Sequence, residues 1–569
     1  MAIQSVKLRP GINREGTRYT TEGGYYDGDK IRFRQGTPEK IGGWTQISAN
    51  TFLGVCRSLH NWITLGGQNL IGIGTHLKFY VENIGSYFDV TPLRASVSLT
   101  NPFTTVSGSA TVTVTDANGG YINGDYVTFS NATAVGGLTI DGEFVVSLGV
   151  TSAAGTFTIT AASTASSSAT GGGTVTAAYQ INVGNPFAVP ITGWGAGSWS
   201  QGTWGVGESS IKAIRFWSQS NFGEDLIFGH AGGAIYYWDA TGNVSTRAVS
   251  LSSLSGASDV PVVQNLILVS DISRFVFCFG TNTIGSSSVD PTLIRWSDQG
   301  DPTNWTPSEV TQAGDLQLSR GTKIVAARQS RQEVLVWTDS SLYSLQFVGG
   351  QAVWGASLVG ENISISSQNA VAYANGVAYW MGKDKFYMYD GRTQPLKCDV
   401  RKYVFNDFNT AQYSQVFSGT NESFHEIWWF YCSTSATNID KYVIYNYQEK
   451  IWYYGTLART AWVDSGLRNS PLAATYSFNL VDHEDGIDNN EGASAVAIAA
   501  FIESSDFDIG DGDRFSLINR VIPDVSFDGS TASTPAATMT LHALASSGSG
   551  RNSPVSEGGV NNATVTRTA

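Results

Sequence analysis

From residue 52 to residue 470 one pattern recurs: a short apolar strand, a turn rich in Gly, Asp or Ser, then an aromatic-rich strand. Leu70-Ile71-Gly72-Ile73 turns into Leu77-Lys78-Phe79-Tyr80-Val81, and Leu226-Ile227-Phe228 into Ile235-Tyr236-Tyr237-Trp238. Val334-Leu335-Val336-Trp337 turns into Leu342-Tyr343-Ser344-Leu345, and Val377-Ala378-Tyr379-Trp380 into Phe386-Tyr387-Met388-Tyr389. Phe275-Val276-Phe277 is expected to pair with Leu293-Ile294-Arg295-Trp296, and Ile427-Trp428-Trp429-Phe430 with Tyr442-Val443-Ile444-Tyr445. These are hairpin signatures. The strands are apolar along both faces, so each hairpin needs cover on both sides. The hairpins begin near residues 70, 226, 275, 334, 377 and 427. Apart from the first interval they lie about 40–60 residues apart, close to the ~40–50 of a four-stranded propeller blade. Radial packing buries both faces of such sheets and leaves only short edges. The expectation is an all-β chain with a six-bladed β-propeller over 46–95 plus 184–470.

The long first interval holds an insertion, 96–183. No Lys, Arg or His occurs between Ala95 and Ser210, and Ala110-Thr111-Val112-Thr113-Val114 and Thr156-Phe157-Thr158-Ile159-Thr160 alternate with period two. That pattern predicts a small antiparallel β-domain. Residues 1–45 form a basic extended arm in which Asp29-Lys30-Ile31-Arg32-Phe33-Arg34 alternates charge with apolar side chains, suiting an exposed strand. Residues 471–569 predict a C-terminal acidic, β-sandwich-like domain, with strands over 496–501 and 515–525. The stretch 471–530 carries most of the net charge of -13.

Composition excludes several classes. Charged residues are only 14%, below the ~25% of an average soluble domain. With aromatics at 12%, disorder driven by charge is ruled out. An acidic chain lacks the basic face of a sequence-reading nucleic-acid binder. Cys56, Cys278, Cys398 and Cys432 lie far apart without a CxxC pair, so free buried thiols are expected rather than a disulfide framework or zinc site. No apolar stretch reaches signal-peptide or membrane-spanning character, and the chain reads as soluble and made in a reducing compartment.

The motifs that carry chemistry fail in turn. His425-Glu426 lacks the second histidine of a zincin, and no nucleophile elbow or phosphate loop occurs. The acidic runs 482–488 and 506–513 lack the spacing of a calcium loop. The string 295–305, Arg-Trp-Ser-Asp-Gln-Gly-Asp-Pro-Thr-Asn-Trp, partly matches the Asp-box turn of sialidase propellers, with different spacing and a single occurrence. No catalytic residues, metal ligands or cofactors are assigned, and the chain is expected not to be an enzyme. The alternative is a carbohydrate-binding or glycan-hydrolysing β-propeller.

Four stretches carry a resemblance to a known family. They are Gly11-Ile12-Asn13 to Gly43-Trp44 with its core Asp27-Gly28-Asp29-Lys30-Ile31-Arg32-Phe33; Ile294-Arg295-Trp296-Ser297-Asp298-Gln299 with Trp305-Thr306-Pro307; Val377 to Gly391; and Gly510-Asp511-Gly512-Asp513-Arg514-Phe515 leading to Ile522-Pro523-Asp524. In these the chain resembles the tail nozzle, or hub, proteins of short-tailed bacteriophages. The resemblance spans most of the chain but not the insertion. It implies a virion component assembled in the host bacterial cytoplasm: a homo-oligomeric, six-fold ring beneath the adaptor under the portal. Double-stranded DNA would leave through its channel without sequence-specific binding, and tail fibres or spikes are further candidate partners. On that reading Arg14, Arg18, Lys30, Arg32 and Arg34 would contact the adaptor. Asp482, Glu484, Asp485, Asp508, Asp511 and Asp513 would line the distal channel, where an acidic wall repels DNA instead of holding it by counterion release.

Overall fold

The computed structural model describes residues 5–149, 154–193, 208–271, 273–510, 512–513, 518, 520–544, 546–549 and 563–568. The fold is nearly all β. The chain divides into two compact units, 48–363 with 476–479, and 1–47 with 364–475 and 480–569.

Each of the six hairpins forms and is the centre of a four-stranded antiparallel meander, with strands in chain order. The first meander comprises Cys56–Ile63, Asn69–Thr75, Phe79–Asn83 and Ser86–Asp89, and the second Trp217–Phe222, Asp225–His230, Tyr236–Trp238 and Val249–Ser250. The third comprises Gln264–Val269, Val276–Asn282, Val289–Trp296 and Gly314–Gln317, and the fourth Ile324–Gln329, Val334–Thr338, Ser341–Phe347 and Trp354–Glu361. These four belong to the unit 48–363. The other unit holds the fifth, Val371–Ala374, Val377–Met381, Phe386–Tyr389 and Thr393–Leu396, and the sixth, Phe417–Asn421, Glu426–Tyr431, Lys441–Asn446 and Ile451–Thr456.

The continuous apolar strands follow from how these sheets are covered. In the second meander, Leu226, Phe228, Tyr236 and Trp238 pack with Leu70, Phe79 and Val81 of the first. The alternate residues Ile227 and Ile235 pack with Ile267, Val276 and Cys278 of the third. The opposite face of the third, Phe277, Phe279, Ile294 and Trp296, packs with Val334, Val336 and Tyr343 of the fourth. Burying one such side chain contributes about 1.5–3 kcal/mol, so both faces drive the stacking. The order of packing is set by the first strands: Cys56–Ile63 lies beside Trp217–Phe222, which lies beside Gln264–Val269, which lies beside Ile324–Gln329. Within the other unit Val371–Ala374 lies beside Phe417–Asn421, which lies beside Ala461–Val463.

Two glycines show how close this packing is. A Cβ on Gly74 would sit 2.6 Å from the Trp217 ring, and one on Gly419 would sit 2.1 Å from the Trp462 ring. In both places a tryptophan of the next sheet lies flat on a strand that only glycine leaves bare. Its indole nitrogen then donates to backbone of the sheet it covers, Trp217 Nε1 to Thr75 O at 2.7 Å and Trp462 Nε1 to Thr420 O at 3.1 Å.

The insertion is two four-stranded antiparallel sheets. One runs Thr156–Thr160, Thr111–Thr115, Phe103–Thr105, Ala169–Gly171 in spatial order, and the other Gly142–Val145, Tyr126–Ser130, Thr174–Gln180, Leu93–Thr100. They enclose a core of their own containing Val112, Val114, Val127, Phe129, Phe157 and Ile159. The period-two alternation is the reason: Val112 and Val114 turn inward, and the threonines between them do not. Lys78, 4% exposed at its side chain, ties this domain to the first meander by donating to Asp89 Oδ2 (2.9 Å) and to Glu143 Oε1 (2.5 Å). Gln180 Nε2 donates to the other Glu143 oxygen at 2.6 Å.

The ends of the chain depart from the sequence expectation. The strands of 471–569 are distributed over three sheets, two of which are completed by the first 47 residues. Ala461–Val463, Leu472–Ala474, Leu480–His483, Trp44–Gln46, Asp488–Asn490 and Val496–Ala497 form one six-stranded sheet in that order. Tyr25–Asp29 pairs with Phe501–Ser504, while Ala536–Leu541 pairs with Ala563–Thr568. A boundary at 470/471 therefore cuts through a sheet. The strand expected over 515–525 is absent at its described residues: Ile518 and Ile522 are exposed, and Pro523 offers no N–H to a ladder.

Candidate functional site

The strand Ile31–Arg34 pairs with Thr37–Lys40, and its first three residues are buried rather than exposed. The alternating pattern misleads because the charged position inside it meets matching charge. Arg32, 1% exposed, donates from Nε and Nη2 to the two oxygens of Glu426, each at 3.0 Å. It also donates from Nη1 and Nη2 to Glu484, at 2.7 and 2.6 Å. The Phe424 ring covers the guanidinium at 3.6 Å. Glu426, itself fully buried, further accepts from Tyr453 Oη at 2.6 Å and Trp428 Nε1 at 2.9 Å. Asn421 Nδ2 donates to Glu484 at 3.0 Å.

One guanidinium faces two carboxyl groups. Burial pushes the Glu426 carboxyl up; Arg32 lowers it, and Glu484 raises it further. Burial also works against the charge on Arg32, but Glu426 and Glu484 outweigh it and hold the guanidinium protonated.

Three more of the basic candidates have partners within the same unit. Arg14 pairs with Asp27 at 3.2 Å and lies over the rings of Tyr26 and Tyr403, at 4.4 and 4.8 Å. Arg18 pairs with Glu503 and also covers Tyr26. Lys30 pairs with Asp29 at 2.7 Å and donates to Thr456 Oγ1 at 3.0 Å. Of the five basic candidates only Arg34 is exposed.

The acidic candidates divide similarly. Asp482 receives both Nε and Nη2 of Arg468, at 3.0–3.2 Å. Glu484 is held by Arg32. Asp508 accepts from Tyr19 Oη at 2.7 Å and Ser547 Oγ at 2.8 Å. Asp485 and Asp513 are exposed, and Asp511 lies outside the described residues. The sequence reading sends the basic arm and the acidic segment to different partners; the structure joins them to each other, through Arg32–Glu484, Arg18–Glu503, Tyr19–Asp508 and two shared sheets. Charge complementarity over more than 450 positions of chain is invisible to a local count.

Sequence reasoning passed over Arg459, and it weighed Glu426 and His483 only within metal motifs that failed. Arg459, 2% exposed, donates from Nε to His483 Nε2 at 2.8 Å, pairs with Glu491 at 2.7 Å and lies 5.0 Å over the Trp44 ring. Burial, with Arg459 beside it, pushes the His483 imidazole well below its ordinary value. It is therefore neutral, accepting at Nε2. Glu426 carried a usable signal, an acid opening the apolar run Ile427-Trp428-Trp429-Phe430.

The string 295–305 forms a turn. Asp298 Oδ1 accepts from the backbone of Gln299 and Gln312 at 2.9 and 2.8 Å, and Trp305 is 1% exposed with its Nε1 donating to Pro302 O at 2.8 Å. All four cysteines are buried and free. Among the described residues no group of three or more His, Cys, Asp or Glu is arranged to hold a metal ion. No helix among them is long and apolar enough to cross a membrane.

No protein-family model and no curated protein matches the chain. Among solved structures, the phage phi92 endosialidase is similar at 12% identity over 89% of this chain and 74% of its own, with a TM-score of 0.19. An ancestral GH74 enzyme is similar at 10% identity over 68% of this chain and 50% of its own, with a TM-score of 0.26. Hsv2 of Kluyvelomyces marxianus is similar at 8% identity over 48% of this chain and 76% of its own, with a TM-score of 0.30. Likenesses this loose carry no functional weight.

Proposed function

We propose that this chain is a structural component of a short-tailed bacteriophage virion, a ring-forming tail nozzle below the portal and adaptor. In this reading the six meanders are the blades of one β-propeller. The observation that carries the reading is the succession of four-stranded meanders whose first strands, within each unit, lie side by side in chain order. It is joined by the four family-like stretches. Two of these take part in the sealing of one unit: 27–33 contributes Arg32 and a strand paired to 501–504, and 377–391 forms the middle of the fifth meander. The part such a chain plays is mechanical. Rigid sheets, apolar on both faces, hold a passage for DNA open, and the partners are further copies, the adaptor, and fibres or spikes. The exposed basic candidate for the adaptor is Arg34, and the acid for DNA is Asp485.

Electron microscopy of the purified chain, alone and with an adaptor ring, tests this. Closed rings or capping of the adaptor are expected. A chain that stays monomeric at high concentration and beside the adaptor, or that turns over a glycan panel, overturns the reading.

A further inference from the structure

The third meander carries a cavity of about 490 Å³ between its 283–288 turn and the incoming segment 251–262. Arg295 lies in its wall and is 2% exposed overall. Its guanidinium donates to two backbone carbonyls, Asp259 O at 2.6 Å and Asn282 O at 3.3 Å. Among the described residues no carboxylate lies within ion-pair distance of it, unlike Arg32, Arg459 and Arg468. A guanidinium has five N–H groups in a planar fork, and leaving such a charge buried without a counter-ion is costly. Burial pulls the Arg295 pKa down, and the opposing influences of Cys278, Asp259 and Asp315 do not offset it.

The rest of the wall mixes serines with apolar residues, Val260, Val262 and Ile284 among them. Ser252, Ser258, Ser286 and Ser287 line it, as does Asp259. Asp259 stands at φ +49°, a region unusual for a residue with a side chain, and its Oδ2 accepts from Thr306 at 2.6 Å. The cavity wall thus combines a guanidinium without an ion-paired carboxylate, an aspartate and four serines.

We infer that this cavity binds a hydroxylated carboxylate of the uronic-acid type, its carboxylate on Arg295 and its hydroxyls shared by Asp259 and the serines. A carboxylate matches the guanidinium bidentately. Inorganic phosphate would also meet Arg295 but has no ring of hydroxyls to reach Asp259 and the serines. A neutral sugar would leave the guanidinium without a counter-ion. The volume admits one or two sugar rings. This site goes beyond the structural role proposed above and holds whether or not the chain forms a ring.

The test is calorimetry and ligand-observed NMR on the full chain with three probes: glucuronate, glucose and inorganic phosphate. Saturable glucuronate binding is expected, with glucose and phosphate each weaker by about tenfold or more. Arg295→Gln should weaken glucuronate by at least about tenfold. Ser287→Tyr, a bulky change at an exposed residue of the cavity wall, should abolish binding in a protein that stays folded. Absent glucuronate binding, phosphate binding as tightly as glucuronate, or unchanged binding in Ser287→Tyr each overturns the assignment.

Discussion

Replacing Arg32 with alanine leaves Glu426, fully buried, and Glu484, 15% exposed at its side chain, without their shared cation. Removing one partner of a buried pair costs about 3–5 kcal/mol, because the remaining charge has neither water nor a counter-ion. The chain has two units, so a single unfolding free energy is ill-defined, and local opening is the quantity to measure. Hydrogen exchange at Ile31–Arg34 and Glu426–Tyr431 should show protection reduced by about a hundredfold to a few thousandfold, at ~1.4 kcal/mol per decade. The pH dependence identifies the cause. The Glu426 carboxyl is already raised by burial, and losing Arg32 removes its main lowering influence. Between the ordinary carboxylate range and the raised value, the folded variant binds more protons than the unfolded one. Its stability therefore falls as pH rises through that window and recovers as pH falls. The protection gap between wild type and Arg32→Ala should narrow on going from neutral to mildly acidic pH, and Arg32→Met with Glu426→Gln should lose less than Arg32→Ala. A loss under about 1 kcal/mol, of the size of an exposed pair, or a gap independent of pH, would refute the buried-network account.

Gly419→Ala would place a methyl 2.1 Å from Trp462; overpacking of this kind costs about 1–3 kcal/mol, and the tryptophan fluorescence and melting temperature should both shift. His60 and His76 are each pushed down to about 4, chiefly by burial. Both favour the folded state above the ordinary histidine value and lose that contribution as pH falls toward about 4; imidazole NMR titrations with midpoints above 6 would contradict this. The insertion, expressed alone as residues 92–183, should give the dispersed NMR spectrum of a folded β-domain, because its core draws on no residue outside it; a collapsed, unstructured spectrum would show it needs the first meander. Deleting 96–183 with a short linker should leave the meanders folded, since Lys78 keeps Asp89 and gains solvent; aggregation of that deletion would make the insertion integral.

The six hairpins were legible because aromatic and β-branched runs separated by turn residues are local signals, and their registers follow, as in Ile73 opposite Tyr80 and Ile427 opposite Tyr445. The sheet at 461–497 was not. Its strands are two to four residues long, and Leu472-Ala473-Ala474 carries none of the aromatic signature. Its fourth strand, Trp44–Gln46, comes from the other end of the chain. The charged candidates suffered from the same distance: Arg32 reads as a surface residue until Glu426 and Glu484 are brought to it. Arg295 stood inside a string noticed for its turn, but nothing in that string tells that its guanidinium has carbonyls for partners and an open cavity beside it.

The placement of Trp44–Gln46 has a consequence for biosynthesis. This strand runs antiparallel to Leu480–His483 on one side and parallel to Asp488–Asn490 on the other. The indole of Trp44 donates to Asn489, 445 positions later in the chain. At ~5–20 residues per second, the strand emerges from the ribosome about 20–90 s before either neighbour exists. Until then both its edges are open to solvent and to other nascent chains. A polypeptide released early, short of residue 480, can never cover it. A chain must therefore reach about residue 490 before both edges of this amino-terminal strand are covered.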